Sequence, residues 1–192
     1  MESKTNWVVV TGGPCSGKTA VIDLISRLVR DRLDCQVIPE AADILIKLGK
    51  LQGKTIEEIR VDEIEFQRQI LTKKVEIEQR LSREKIIFLD TAIPDSIAYF
   101  QVRGLDPKEV LQFCQKDWYW KVFCMESLPF FEQDGRRTET PEEAAVLNRL
   151  LKKAYQDLGY EVISVPLFSS VREISIAKRF LFIVKQVFKG GE

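Results

Sequence analysis

The chain has no histidine among its 192 residues. This absence excludes serine-histidine-aspartate triads, histidine general bases and histidine-ligated metal sites. Any proton transfer in a reaction would therefore fall to a carboxylate, a lysine or a tyrosine.

Cysteine is scarce as well, and its spacing contains neither a C-x-x-C sequence nor a metal-ligand pattern. The four cysteines are Cys15, Cys35, Cys114 and Cys124. The first residues lack a secretory signal pattern, and no run of 18 apolar residues could span a membrane. We therefore expect a cytoplasmic protein with reduced thiols and no transmembrane segment.

An excess of charge of one sign is also missing. Lysine plus arginine and aspartate plus glutamate number 29 each. Nucleic acid is therefore not an expected partner, and a small soluble ligand is the better expectation. The length predicts a single domain over residues 1–192.

A glycine-rich stretch follows the apolar run Val8–Val10 and precedes a helical pattern. It matches G-x-x-x-x-G-K-[ST], whose backbone N–H groups and helix N-terminus bind phosphate. Lys18 would bind the β- and γ-phosphates of ATP or GTP, and the Thr19 hydroxyl would hold Mg²⁺. The predicted nucleotide-binding residues here are Gly12, Gly13, Pro14, Cys15, Ser16, Gly17, Lys18 and Thr19.

Strand and helix patterns alternate five times along the chain, which predicts an α/β fold. Helices on both faces of one open parallel sheet, with ligands beyond the carboxyl ends of the strands, are typical of this pattern. The predicted strands after the first are 35–38, 85–89, 118–124 and 160–165. The predicted helices include 40–49, a long helix over 55–82, and a last helix with a buried seam of Ile174, Ala177, Leu181, Val184 and Phe188.

Acidic residues follow two of these strands. Asp90 ends an apolar run as a Mg²⁺-binding acid would, although a strand-ending aspartate is the alternative. Glu40 could orient or deprotonate an acceptor hydroxyl, and Asp95 is a similar candidate. Both also suit a helix N-terminus, where the dipole favours negative charge, so that alternative stays open.

The polar connection over residues 127–140 contains Arg136 and Arg137. A mobile lid there would bring positive charge onto a transferring phosphoryl group. A solvated charged loop is the alternative.

Six short motifs occur in order along the chain: GGPCSGKT, PEAA at 39–42, FQ at 66–67, the pair Asp90 and Asp95, D-G-x-R-x-E at 134–139 and GYEVISVP at 159–166. In this order they resemble the small P-loop family often labelled AAA-like, which is similar to the ribosylnicotinamide kinase domain of NadR and to the nucleotide-binding domain of the TRPL translocation defect proteins.

The resemblance implies a three-layer, nucleoside- and nucleotide-kinase-like fold with strand order 2-3-1-4-5. It implies that Lys18 and Thr19 bind phosphate and Mg²⁺, that Glu40 and Gln67 face the acceptor, and that Arg137 belongs to the lid. It also suggests that the loop after Val165 borders the base. Thr91 departs from the arginine that many relatives carry after the strand-ending acid, so a phosphorylated acceptor would lose a clamp.

Two functions of different classes, and a third possibility, remain open. The first is transfer of the γ-phosphoryl group of ATP, or of GTP, to a small hydroxyl-bearing acceptor. The second is a nucleotide-gated binding protein with little turnover, because the last helix carries apolar residues over 180–188 that could contact a partner, a lipid surface or a second copy. Simple ATP hydrolysis is the third.

Overall fold

The protein is described by a computed structural model that covers residues 5–128 and 140–188. Arg136 and Arg137, the two arginines predicted to lie in a lid, fall outside these residues. Among the described residues, no helix combines the length and the apolar character needed to cross a membrane.

A five-stranded parallel sheet forms the centre of the molecule, in the order β2-β3-β1-β4-β5. This confirms the predicted fold class and strand order. The strands are β1 (Asn6–Thr11), β2 (Cys35–Ile38), β3 (Ile86–Asp90), β4 (Tyr119–Met125) and β5 (Val162–Val165). Because all of them are parallel, their carboxyl ends meet at one edge of the sheet.

Helices cross over between the strands and cover both faces of the sheet. They are α1 (Lys18–Val29), α2 (Ala41–Leu51), α3 (Ile56–Ile59), α4 (Glu63–Glu78), α5 (Asp95–Val102), α6 (Lys108–Leu111), α7 (Pro141–Asp157) and α8 (Arg172–Phe188). Side chains of β1 alternate between the two faces. Val8 and Val10 pack with α1 and α8, whereas Trp7 and Val9 belong to a second cluster with Tyr155 of α7.

The long helix predicted over residues 55–82 is wrong, because the chain breaks between α3 and α4. Asp62 accepts a hydrogen bond from the Glu65 N–H at 2.9 Å and begins a new helix. A capping box of Thr55 and Glu58 begins the short α3. The apolar spacing continues across the break, so periodicity alone could not reveal it.

The helix predicted over residues 40–49 would end at Gly49, but α2 continues to Leu51. A Cβ at Gly49 would stand 2.5 Å from the Ile59 side chain. The glycine therefore serves a close approach between α2 and α3 and does not terminate the helix.

The predicted seam of α8 is wrong over its first half, because Ile174, Ala177 and Leu181 are exposed, the first and last of them by 46% and 59%. Val184 and Phe188, the other two seam residues, are partly buried and pack against the core. The buried positions are Ser175, Arg179, Ile183 and Val187. Two apolar stripes run along this helix, and the one that carries a buried arginine faces the sheet and the phosphate loop.

Candidate active site

The glycine-rich stretch forms a tight loop between β1 and α1. Cys15 and Gly17 adopt left-handed backbone conformations, with φ of 59° and 74°. Gly12 has φ of 154°, and a Cβ there would lie 2.9 Å from Met125 of β4. These positions explain the glycines at both ends of the motif, since a side chain would strain or displace the loop.

Groups outside the motif fix this loop in place. The N–H of Gly13 donates to the Asn148 side-chain oxygen of α7 at 2.9 Å. The N–H of Leu128, just after β4, donates to the Cys15 carbonyl at 3.1 Å. Two elements distant in sequence therefore hold the loop in one shape.

Arg179 of α8 is the strongest of these supports, and the sequence reasoning missed it. Its side chain is completely buried; Nη1 donates to the Ser16 carbonyl at 2.6 Å and Nε to the Pro166 carbonyl at 2.9 Å. Burial lowers the pKa of this guanidinium. The residue joins the phosphate loop to the segment after β5. In the sequence, the one sign of this role is an arginine at a helical position in line with apolar residues.

Lys18 lies in the crevice beyond the sheet edge, between two of the predicted acids. Its Nζ forms an ion pair with Asp90 and lies 3.6 Å from a Glu40 carboxylate oxygen. Burial acts to lower the pKa of Lys18, but the two carboxylates outweigh it and the pKa is raised. The structure therefore brings Lys18, Glu40 and Asp90 together.

Glu40 occupies the N-cap position of α2 without making a side-chain capping hydrogen bond. Its side chain is 29% exposed, more than those of Lys18 and Asp90. Its carboxylate can thus meet a molecule that enters the crevice, while the helix dipole still favours its charge.

The groups around Lys18 have the composition of a magnesium site that forms together with a nucleotide. Thr19 is exposed at the start of α1, and Asp90 is buried at the end of β3. Within the described residues, no cluster of three or more acidic or cysteine side chains could hold a metal alone. Mg²⁺ commonly takes one or two carboxylates and completes its shell with phosphate oxygens and water, so these residues fit it.

Burial raises the pKa of Asp90 to about 6, although Lys18 acts in the opposite direction. Burial disfavours the charged form of a carboxyl group, and a cation next to the group stabilises that form. Lys18 supplies that cation in the structure.

Asp95 has a different environment from the one expected for a catalytic acid. The residue is completely buried, and its two oxygens accept hydrogen bonds from the Thr11 and Tyr155 hydroxyls and from the Ala92 N–H. These bonds tie β1, α5 and α7 together. Asp95 has no exposed surface on the crevice, so its side chain acts there as a structural link and not as a catalytic acid.

Gln67, expected on the acceptor side, is 6% exposed on α4. Its side-chain amide donates to Glu63 at 3.0 Å, and Glu63 also pairs with Arg60 at 3.0 Å and lies 3.5 Å from Arg103. This polar group lies at the first turn of α4, where a ligand would have to compete with existing pairs.

A small cavity lies between the ends of β2 and β3 and the helices α2 and α4. Its volume of about 10 Å³ is enough for one water-sized atom. The polar residues that line it are Lys74, Glu78 and Thr91, and the apolar ones are Ile38, Pro39, Ala41, Ile77 and Leu89. None of the three polar residues was singled out as a ligand-binding group from the sequence.

The sequence of the chain matches one family model, described as an AAA domain, over residues 7–173. No curated protein matches the chain.

Solved structures of kinases share the fold. Thymidylate kinase from Ehrlichia chaffeensis has a TM-score of 0.63 at 15% identity, covering 94% of this chain and 97% of that one. NadR in complex with NR has a TM-score of 0.64 at 15% identity, covering 98% of this chain and 52% of that one. Deoxyadenosine kinase from M. mycoides, with dCMP and dCDP bound, has a TM-score of 0.60 at 12% identity, covering 95% and 99%. The fold of this chain is therefore that of P-loop nucleotide and nucleoside kinases.

Proposed function

Because the chain belongs to the AAA domain family, which its match over residues 7–173 shows, we propose that it binds ATP, or GTP, and transfers the γ-phosphoryl group to a small hydroxyl-bearing acceptor. The observation that carries this proposal is the position of Lys18, at the start of α1 and between the carboxylates of Asp90 and Glu40. In this proposal Lys18 binds phosphate, Asp90 binds the metal and Glu40 faces the acceptor, and all three lie in one crevice.

In the proposed reaction, the loop from Gly12 to Thr19 binds the phosphates. Lys18 exchanges its carboxylate partners for the β- and γ-phosphate oxygens. Asp90 and the Thr19 hydroxyl would hold Mg²⁺, which supplies positive charge that neutralises the phosphates and orients them. Arg136 and Arg137 remain candidates for closing over the γ-phosphate.

Glu40 is the proposed general base. As the acceptor oxygen forms its bond to the γ-phosphorus, the bond to the oxygen of the leaving ADP breaks, and the acceptor proton passes to the Glu40 carboxylate. Gln67 is a proposed contact of the acceptor, and its amide would have to exchange the Glu63 hydrogen bond for one to the acceptor.

The decisive experiment measures ADP formation by the purified chain with Mg²⁺ and ATP or GTP. The acceptors are sugars, nucleosides and nucleotides, each compared with a reaction without acceptor. We expect at least one acceptor to stimulate ADP formation. Lys18→Ala and Glu40→Gln should each lower that rate by roughly 100-fold or more.

The matched control is Lys153→Ala, an exposed lysine of α7 that pairs with Asp157 and should leave the rate unchanged. Absence of acceptor-dependent ADP formation across the panel would refute the phosphotransferase proposal.

A second candidate, a nucleotide-gated binding protein, is favoured by the exposed Ile174 and Leu181 on the helix whose Arg179 supports the phosphate loop. It predicts that Mg²⁺-ATP binds while no acceptor stimulates turnover. Simple hydrolysis predicts ADP formation that is independent of any acceptor, so the same experiment separates the three.

A further inference from the structure

The cavity beside α4 contains polar groups whose hydrogen-bonding capacity points to a ligand atom. Thr91 is 8% exposed, and its hydroxyl has no hydrogen-bond partner among the described residues. A buried hydroxyl without a partner costs free energy. The neighbouring Lys74 is 6% exposed and lines the same cavity.

Thr91 is also strained. Its φ of 64° is unusual for a β-branched residue, and its N–H is held by the Val10 carbonyl at 3.2 Å. Strained residues of this kind persist where the surrounding structure fixes them, and they cluster at ligand sites. Here the strain places a hydroxyl directly after the metal-binding acid Asp90.

The charges around the cavity define the kind of ligand that can enter. Burial lowers the pKa of Lys74, whereas the carboxyl groups of Asp95, Glu40 and Glu78 oppose this effect and Lys18 adds to it. With Asp90, four carboxyl groups lie near these two lysines, and three of them remain as negative groups when Glu78 is protonated. These carboxyl groups already balance the charge of Lys74. A phosphate dianion that entered the cavity would therefore be repelled by the excess of negative groups.

We propose that Lys74 and Thr91 donate hydrogen bonds to one oxygen atom of the phosphoryl acceptor, and that this acceptor is an uncharged alcohol such as a nucleoside rather than a phosphorylated compound. This inference rests on the proposed phosphotransferase function and names its substrate class. The cavity has room for one such atom, and Glu40 lies between the cavity-lining residues Pro39 and Ala41.

The test compares each ribonucleoside and 2′-deoxynucleoside with its own 5′-monophosphate at saturating Mg²⁺-ATP. Four proteins are assayed: wild type, Lys74→Met, Thr91→Val and the control Lys73→Met. Lys73 lies on the same helix and pairs with Glu76 at 2.6 Å. Thr91→Val keeps the branched shape and removes only the hydroxyl, so it remains informative if Lys74→Met fails to fold.

We expect the wild type to phosphorylate a nucleoside in preference to its monophosphate. Lys74→Met should raise the KM for that nucleoside roughly 10- to 100-fold, as the loss of a hydrogen bond from a charged donor predicts. Thr91→Val should raise it by a smaller factor. The KM for ATP should stay the same in both variants, and Lys73→Met should behave as wild type.

Preference for the monophosphates, or an unchanged nucleoside KM in both cavity variants, would overturn the inference while phosphotransfer itself stands. If neither member of any pair stimulates ADP formation by the wild type, while a sugar alcohol does, the nucleoside class is overturned. If no compound does so, the proposed function fails and this inference fails with it.

Discussion

At the scale of single residues, Lys18 neutralises two acids of the crevice. Its pairing with Asp90 and its approach to Glu40 at 3.6 Å keep buried negative charge compensated. Nucleotide binding must break this arrangement, since Lys18 would turn to the phosphates. A cation that replaces Lys18 next to Asp90 then becomes necessary, which links the proposed magnesium site to the proposed nucleotide site.

This arrangement predicts that Lys18→Met destabilises the protein as well as weakening nucleotide binding. Removing one partner of a buried pair leaves an uncompensated charge, with an expected loss of about 3 kcal/mol in the free energy of unfolding. Adding Asp90→Asn in the same chain should recover most of that loss, because the buried charge is gone. Urea denaturation measures both effects.

Calorimetry with Mg²⁺-ATP provides the control for this pair of variants. The double variant should be stable and yet bind no nucleotide, since both a phosphate ligand and a metal ligand are missing. If the double variant is as unstable as Lys18→Met, the lysine does not act as the counter-charge of Asp90.

The residues that could be predicted from the sequence are those with a local signature. Lys18 stands in a spaced motif, and Glu40 and Asp90 follow apolar strands, so their proximity was expected from the sheet alone. Lys74 and Arg179 carry no such signature. Each is a charged residue within an apolar helical stripe, and only the packing of distant elements determines whether such a residue is buried.

At the scale of elements, α8 connects the phosphate loop to the end of β5. Arg179 bonds the Ser16 and Pro166 carbonyls, and a Cβ at Gly17 would lie 3.7 Å from Ile176. The predicted and observed faces of α8 differ because the helix has apolar residues on both sides. The buried face is the one whose arginine donates hydrogen bonds to two backbone carbonyl groups.

We predict that Arg179→Met weakens nucleotide binding through the shape of the loop. Without the guanidinium, the Ser16 carbonyl loses its charged donor and the loop can relax. The dissociation constant for Mg²⁺-AMP-PNP should rise roughly 10-fold or more, in line with the loss of one charged hydrogen bond. Isothermal calorimetry measures it.

Arg179→Lys can restore one of the two bonds and should recover part of the affinity. Lys178→Met, at the exposed neighbouring position, is the matched control and should bind as wild type. Unchanged affinity in a less stable Arg179→Met protein would show that the arginine supports only the fold.

At the scale of the whole molecule, a buried polar network joins elements on the α4–α7 side of the sheet. Glu78 of α4 accepts hydrogen bonds from the Ile93 N–H at 2.8 Å and from the Tyr119 hydroxyl at 2.6 Å. Tyr119 packs edge-on against Tyr155, whose hydroxyl bonds Asp95. α4, β4, α5 and α7 are thereby held together around the crevice, so the protonation of Glu78 affects the stability of the fold.

Burial raises the pKa of Glu78 from 4.5 to about 7, although the Tyr119 and Ile93 hydrogen bonds and Lys74 oppose the shift. The folded chain therefore holds this proton more tightly than the unfolded chain. Between these two pKa values the folded state binds more protons, so the contribution of Glu78 to stability is full below pH 4.5 and is lost as the pH rises through 7. The loss corresponds to roughly 3 kcal/mol.

Glu78→Gln keeps an oxygen for the Ile93 N–H and cannot ionise, so its stability should lack this pH dependence. In urea denaturation at a series of pH values, the stability of wild type relative to Glu78→Gln should fall by roughly 3 kcal/mol between pH 4.5 and pH 8. Glu84→Gln removes an exposed carboxyl group and should follow the wild-type curve. Parallel curves for wild type and Glu78→Gln would mean that Glu78 is ionised throughout this range, with Lys74 as its counter-charge. In that case Lys74 would be committed to Glu78, and its charge would be less available to an acceptor in the cavity.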